Sequence, residues 1–340
     1  MTRQIWIDRA KGVGICLVVF GHVMRGMTAS GIVAEETPVK MLDYTLYSFH
    51  MPLFFLLSGL NAERSLAKGP RLFLADKLHY LVWPYFLWSF IQGAIQIRFA
   101  GDVNAPLTYN ELLGVVWRPI GQFWFLYDLF GCHLILLASR GSKVLLGALA
   151  IAACALSASS SYFYGKFFFN FPFFVIGIGA SAQLAAWTPT RSGGPRALLL
   201  ATLCFLIAAS IGYFAELRQN TPLAVPAALL GVGMTIVVAK LLCGAPGRML
   251  EIIGNMSMTI FLLHILAAAG ARIALLKLGA PIDPALFVLG ATLVGLILPM
   301  LAHVVMKRLG LLPWLGISAP RGATRPNQPT TTSPPFAASA

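Results

Sequence analysis

Long apolar runs, each near the length of a bilayer crossing, alternate along this chain with short polar segments rich in Lys and Arg. A transmembrane helix needs about 20 mostly apolar residues. Ten stretches meet that measure: residues 7–27, 44–61, 80–99, 121–138, 144–161, 167–187, 197–214, 223–243, 252–275 and 285–306. The stretch 144–161 is short and ends among Ser157, Ser159, Ser160 and Ser161. The polar segments carry an independent signal. With the N-terminus placed in the cytoplasm, segments on that side hold 17 of the 25 basic residues and those on the other side hold 8. That division follows the positive-inside rule, and an odd number of spans breaks it. The pattern predicts an all-α fold, a polytopic membrane helix bundle of about ten transmembrane helices with both ends cytoplasmic. Residues 1–317 are expected to form the membrane domain. Residues 318–340, with five prolines and almost no large apolar side chain, read as a disordered cytoplasmic tail.

Composition supports the same class. Hydrophobic residues make up 58% of the chain, charged residues 11%, and mean hydropathy is +0.77. Soluble domains are about 25% charged, so this chain cannot cover a water-facing globule. Disorder, coiled coil and a secreted disulfide scaffold are excluded as overall classes. The net charge of +13 does not imply nucleic acid, because the basic residues cluster between apolar runs. The five cysteines lie in or beside apolar segments without CxxC spacing and read as small buried hydrophobes. The first apolar run contains His22 and no small-residue cleavage site follows it, so a span is expected there rather than a signal peptide. The sequence shows no internal repeat, no Gly-rich phosphate loop and no HExxH-type motif, and no metal is expected.

In a lipid-embedded chain the informative residues are polar ones at membrane depth. His22 lies in the first span, eleven residues after Lys11. Eleven residues are three helical turns plus roughly 20°, so both side chains share a face, about 16 Å apart along the axis. Lys11 then sits at the cytoplasmic boundary and His22 in the outer half, with Arg9 on nearly the opposite face. His50 opens the second span at similar depth, and Pro52 is expected to kink that helix. Consecutive helices and matching depth predict that His22 and His50 face one cavity. The structural alternatives are a histidine bonded to a neighbouring helix for His22 and a cap on the Pro52 kink for His50. Ser58-Gly59 reads as small-residue packing.

These segments resemble the acyltransferase-3 family of integral membrane acyltransferases, in particular its sugar O-acetyltransferase branch acting on fucose-like and other glycan residues. The resemblance rests on the basic residue and histidine separated by ten residues (Lys11 and His22). It rests also on Phe49-His50-Met51-Pro52-Leu53-Phe54-Phe55 with Ser58-Gly59, on Leu81-Val82-Trp83-Pro84-Tyr85, on Phe123-Trp124-Phe125-Leu126 and on Phe261-Leu262-Leu263-His264. Many members carry Arg where Lys11 stands, and Leu60 replaces a common aromatic residue. The resemblance covers about residues 5–306 and implies the same number of spans.

It also implies a multi-pass enzyme of the cell (inner) membrane that moves an acetyl group from cytoplasmic acetyl-CoA to a hydroxyl of a cell-envelope or lipid-linked glycan. Under it, Lys11, Arg64 and Lys77 meet the CoA phosphates, while Lys68 and Arg71 read as ordinary cytoplasmic charges. His22 is the general base. His50, Tyr47 or Trp124 donates to the thioester oxyanion, and Asp128 or Glu111 orients a histidine. His133, His264 and His303 read as structural, the family match raising His264 somewhat, and His79 as a boundary residue. A transporter or flippase of a small polar solute or lipid-linked sugar is the main alternative, and a non-catalytic membrane partner in polysaccharide assembly the second.

Overall fold

In the computed structural model, which describes residues 4–160, 162–189, 193–277, 279 and 283–319, the regular elements are all helical. They are α1 Ile5–Ala29, α2 Thr37–Tyr47, α3 His50–Gly59, α4 Ala62–Leu66, α5 Pro70–Lys77, α6 Trp83–Arg98, α7 Tyr109–Leu113, α8 Trp124–Ala138, α9 Lys143–Leu156 and α10 Tyr162–Gly179. The remainder are α11 Ser181–Ala186, α12 Gly194–Phe214, α13 Val225–Leu241, α14 Gly244–Asn255, α15 Ser257–Lys277 and α16 Pro284–Arg308. Six helical stretches are long and apolar enough to cross a bilayer: α1, Tyr109–Ala138, α12, Pro222–Leu241, α15 and α16. Their outward faces are apolar. On α12, Leu200, Ile207 and Ile211 are each about 60% exposed. In water such a face is a liability, whereas in lipid it is matched by its solvent.

The central element is α1, which packs against α2, α3, α13, α14, α15 and α16. Its approach to α14 depends on missing side chains. A Cβ at Gly12 would run into the Leu250 carbonyl, and one at Gly254 into the Asp8 carbonyl. The α3–α10 contact is built the same way, Gly59 against the Phe174 carbonyl and Gly177 against that of Leu56. Without a hydrophobic drive between helices in lipid, close backbone approach of this kind supplies the dispersion contacts that hold them together. Gly59 is thus a packing element, whereas Ser58 lines a cavity.

Several span boundaries shift for local reasons. The stretch 44–61 is two helices, because α2 ends at Tyr47 and α3 starts at His50. Pro52 has no N–H and its ring crowds the carbonyl four residues back, at Ser48. His50 repairs the break, its Nδ1–H donating to the Leu46 carbonyl at 2.6 Å. The stretch 80–99 begins earlier, since helix runs from Pro70 through a π-helical turn, Leu78–Val82, into α6. Pro84 accounts for the π turn, which opens the ladder where its ring would strike the Tyr80 carbonyl. The stretch 252–275 begins too early. Residues 244–255 form the separate α14 against α1, and α15 starts at Ser257. Of the expected tail 318–340, residues from 320 onward lie outside the described residues; the stretch 144–161 is the shorter α9, which ends at Leu156 before Ser157. Ser318, the first residue of that expected tail, is pinned, its carbonyl accepting from His79 Nε2 at 2.8 Å.

Candidate functional site

Two cavities enter the bundle from opposite ends of α1. The first, about 530 Å³, is lined along the N-terminal half of α1 by Lys11, Ile15 and Val18. Arg64 from α4, Lys68 from the turn after it, and Asp76 and Lys77 from α5 join its wall. Four cations against one acid leave its mouth at net +3. Lys11 also pairs with Asp8 at 3.5 Å, and Lys68 with Asp76 at 2.8 Å. Burial pulls the Lys77 ammonium down to about 8, with Asp76 opposing and Lys68 reinforcing the shift. Deeper in, the walls turn apolar, with Met51, Phe54, Leu57, Phe125 and Phe261. A charged mouth over an apolar shaft suits an extended ligand with an anionic head and a neutral arm. Lys11, Arg64 and Lys77, singled out in the sequence, thus share one cavity. Lys68 joins them with its charge already met, and Arg71 is not in its wall.

The second cavity, about 460 Å³, is lined by the C-terminal half of α1 from His22 to Met27, by α6 from Gln92 to Gln96, by the segment 99–105 and by α15. The two cavities come within one helical turn of each other. The first ends at Val18 on α1 and Phe261 on α15; the second begins at His22 and His264. Four residues advance about 6 Å along a helix. A histidine pair therefore stands in the partition.

The partners of that pair assign its tautomers. His264 Nδ1 lies 3.0 Å from the Ile260 carbonyl and 2.8 Å from that of Phe261. Carbonyls only accept, so Nδ1 carries the proton and Nε2 of the neutral ring is a lone pair. That lone pair faces His22 Nδ1 at 2.9 Å, so His22 donates from Nδ1. The Nε2 of His22 is left with its lone pair, the arrangement a general base requires.

His50 does not line the cavity that reaches His22. It is buried beside Tyr47, ring centroids 4.6 Å apart, and Tyr47 also edges onto His22 at 6.1 Å. His22 shares its cavity with His264, and His50 stands behind Tyr47, outside that wall. Arg25, one turn beyond His22, is met by Asp43 at 2.6 and 2.8 Å and lies over the Tyr47 ring. Trp124 stacks on Phe55 at 6.5 Å and carries Lys166 over its ring at 4.9 Å, and Asp128 is buried on α8. Neither lines either cavity. Glu111 orients no histidine. It closes a capping box with Thr108 at the start of α7. His133 donates to the Leu129 carbonyl between Phe73 and Phe174, and His303 bonds Thr259 at 2.6 Å.

Sequence reasoning missed three participants. His264 read as structural although it closes a quoted motif, because its partner is 242 positions away. Gln92 and Gln122 form a buried reciprocal amide pair at 2.8 and 3.2 Å, with Gln92 in the cavity wall. Arg272, inside the expected span 252–275, lies within α15 and is buried. Its place in an otherwise apolar run was the available signal. Among the described residues no three His, Cys, Asp or Glu side chains gather as a metal set.

The model of the family described as "Acyltransferase domain" matches residues 4–304. The chain is similar to two proteins named "Nodulation protein NolL". That of Mesorhizobium japonicum is 27% identical over 130 residues, 38% of this chain and 34% of the relative. That of Sinorhizobium fredii is 25% identical over 219 residues, 60% of this chain and 57% of the relative. The chain thus spans about a third to somewhat over half the length of these relatives. No solved structure matches it significantly.

Proposed function

The chain belongs to the acyltransferase family whose domain model covers it, and from that premise we propose that it is a multi-pass O-acyltransferase of the cytoplasmic (inner) membrane, moving an acetyl group from cytoplasmic acetyl-CoA to a hydroxyl of an envelope or lipid-linked glycan. The observation that carries this reading is the pair of cavities meeting at His22 and His264. The basic mouth formed by Lys11, Arg64 and Lys77 takes the CoA phosphates, and the apolar shaft takes the pantetheine arm toward Val18 and Phe261. The acceptor hydroxyl enters through the second cavity. The whole bundle crosses the membrane ten times with both ends cytoplasmic, which puts the basic mouth on the CoA side.

The chemistry is a direct transfer. The acceptor oxygen attacks the thioester carbon while His22 Nε2 takes its proton. The carbon–sulfur bond breaks, and the proton on His22 passes to the departing CoA sulfur. His264 touches no substrate in this scheme. It is a positioning residue that holds the His22 proton on Nδ1 and accepts a stronger hydrogen bond once His22 becomes imidazolium. The backbone carbonyls of Ile260 and Phe261 fix His264 in turn. Of the three oxyanion-donor candidates, Tyr47 has its ring nearest His22, edge-on at 6.1 Å, and is the one this scheme uses, though it stands behind the cavity wall.

The test is transfer from radiolabelled acetyl-CoA by the detergent-solubilised protein, with rapid quench in the absence of acceptor. Thioester turnover that disappears in His22→Ala, with no label left on the protein, is the expected result. Stoichiometric acetyl-His22 replaces direct transfer by a nucleophilic route. Solute uptake by proteoliposomes without acetyl-CoA consumption replaces the enzyme by a transporter.

A further inference from the structure

We propose that the acceptor taken by the second cavity carries an anionic group, a carboxylate or a phosphate, and that Arg272 is the residue that binds it. This rests on the acyl-transfer reading for the identity of the acceptor and on the cavity alone for the charge.

Arg272 lines the same cavity as His22 and His264 and is only 6% exposed. Its Nη1 donates to Ser30 Oγ and Asn104 Oδ1, and its Nη2 to the Asp102 backbone carbonyl at 3.4 Å. These three partners are neutral oxygens. A guanidinium has five N–H donors, so two remain. The one carboxylate in the wall, Asp102, is engaged by Lys277 at 3.0 Å. Among the charged lining residues, Arg272 and Lys277 outweigh Asp102 by one. Ser30 and Gly26 place the C-terminal end of α1 nearby, Asn104 Nδ2 donating to the Gly26 carbonyl at 2.8 Å. That end offers only about half a negative charge. A buried cation without a carboxylate is costly, and a planar fork of free N–H groups matches carboxylate or phosphate oxygens.

The spacing refines the ligand. Arg272 follows His264 by eight residues on α15, about 12 Å along the axis. That is farther than a single pyranose ring reaches. The anionic group therefore sits beyond the sugar being acylated, on a neighbouring uronate-type residue or on the phosphate of a glycosyl carrier. Gln92, Gln96 and Asn104 in the intervening wall supply amides for sugar hydroxyls, and Phe99 an aromatic face.

The experiment measures binding to the full-length protein in nanodiscs at low salt. One arm compares an oligosaccharide bearing a glucuronate with its glucose counterpart, the other a glycosyl phosphate with the methyl glycoside. The charged member of at least one pair should bind about ten-fold tighter or better, the usual scale of a charge-assisted hydrogen bond. The arm that shows it identifies carboxylate or phosphate. Arg272→Gln, which removes the charge and ends two bonds short of the Nη atoms, should level the pair, and Arg272→Lys should keep part of the preference. Equal binding within both pairs overturns the proposal, as does a preference that survives Arg272→Gln. If Arg272→Gln does not fold, Arg272→Lys decides: a reduced preference supports the proposal and an unchanged one overturns it. Acetyl-CoA hydrolysis is scored separately, and its absence from the wild type sinks the acyl-transfer reading without touching the binding result.

Discussion

Replacing His264 with alanine tests the histidine pair most directly. The imidazole is fully buried and accepts the 2.9 Å hydrogen bond from His22 Nδ1. Without it, His22 loses a partner that matters most when its ring is charged, in the transition state. A hydrogen bond to a charged group contributes about 1.5–3 kcal/mol, which is roughly 10- to 150-fold in rate. His264→Ala should therefore lower kcat by one to two orders of magnitude. The KM for acetyl-CoA should hardly move, because His264 does not line the basic cavity. His264→Gln should recover part of kcat, since its amide oxygen accepts from His22 Nδ1–H as the lone pair did. The assay is steady-state acetyl-CoA turnover, with thermal unfolding in the same detergent to exclude loss of fold. In a His22→Ala background, His264→Ala should cost nothing more, because a positioning residue has nothing left to position. A kcat within two-fold of wild type, or a further full loss in the double variant, refutes the pair as a catalytic unit.

Three further outcomes follow from other parts of the molecule. Because burial holds Lys77 near 8, its charge, and with it attraction for CoA phosphates, is present below that pH and lost as pH rises through it. Free Lys77 should thus give an acetyl-CoA KM that climbs above about pH 8, and Lys77→Arg, charged throughout, should flatten the climb; an unchanged profile removes Lys77 from the donor site. Gly59→Ala drives a methyl into the Phe174 carbonyl and should destabilise the protein by about 1–3 kcal/mol, whereas Gly147→Ala, with open space around it, should be neutral or stabilising; the reverse order of melting temperatures contradicts the close α3–α10 approach. Reporter fusions at Asn104 and Gln219 should read external and one at Ala340 cytoplasmic, and any opposite signal breaks the ten-span topology.

The α-helical, lipid-solvated character of the chain was legible from sequence alone. A bilayer admits few structures and demands long apolar runs, so composition and run length carry that information without tertiary contacts. The shared face of Lys11 and His22 was legible too, since one continuous α1 fixes both by helical period. Breaks within runs were not. Pro52 announced a kink and Pro84 carried no such expectation, and whether the chain answered with a two-residue gap at Ser48-Phe49 or a π turn at Leu78–Val82 depended on what packed around it. The same holds for the site's polar contacts. His50 looked equivalent to His22 by depth, yet its Nδ1–H is spent on the Leu46 carbonyl. His264 looked structural, yet packing of α15 on α1 sets it against His22. Arg272 stands in the sequence only as a charge within an apolar run, and its partners Ser30 and Asn104 come from distant segments. Periodicity is a property of one helix and can be read along it. Which polar group meets which is a property of how helices pack, and in this chain that was decided by close approaches such as Gly12 and Gly254 across α1 and α14, which no single segment encodes.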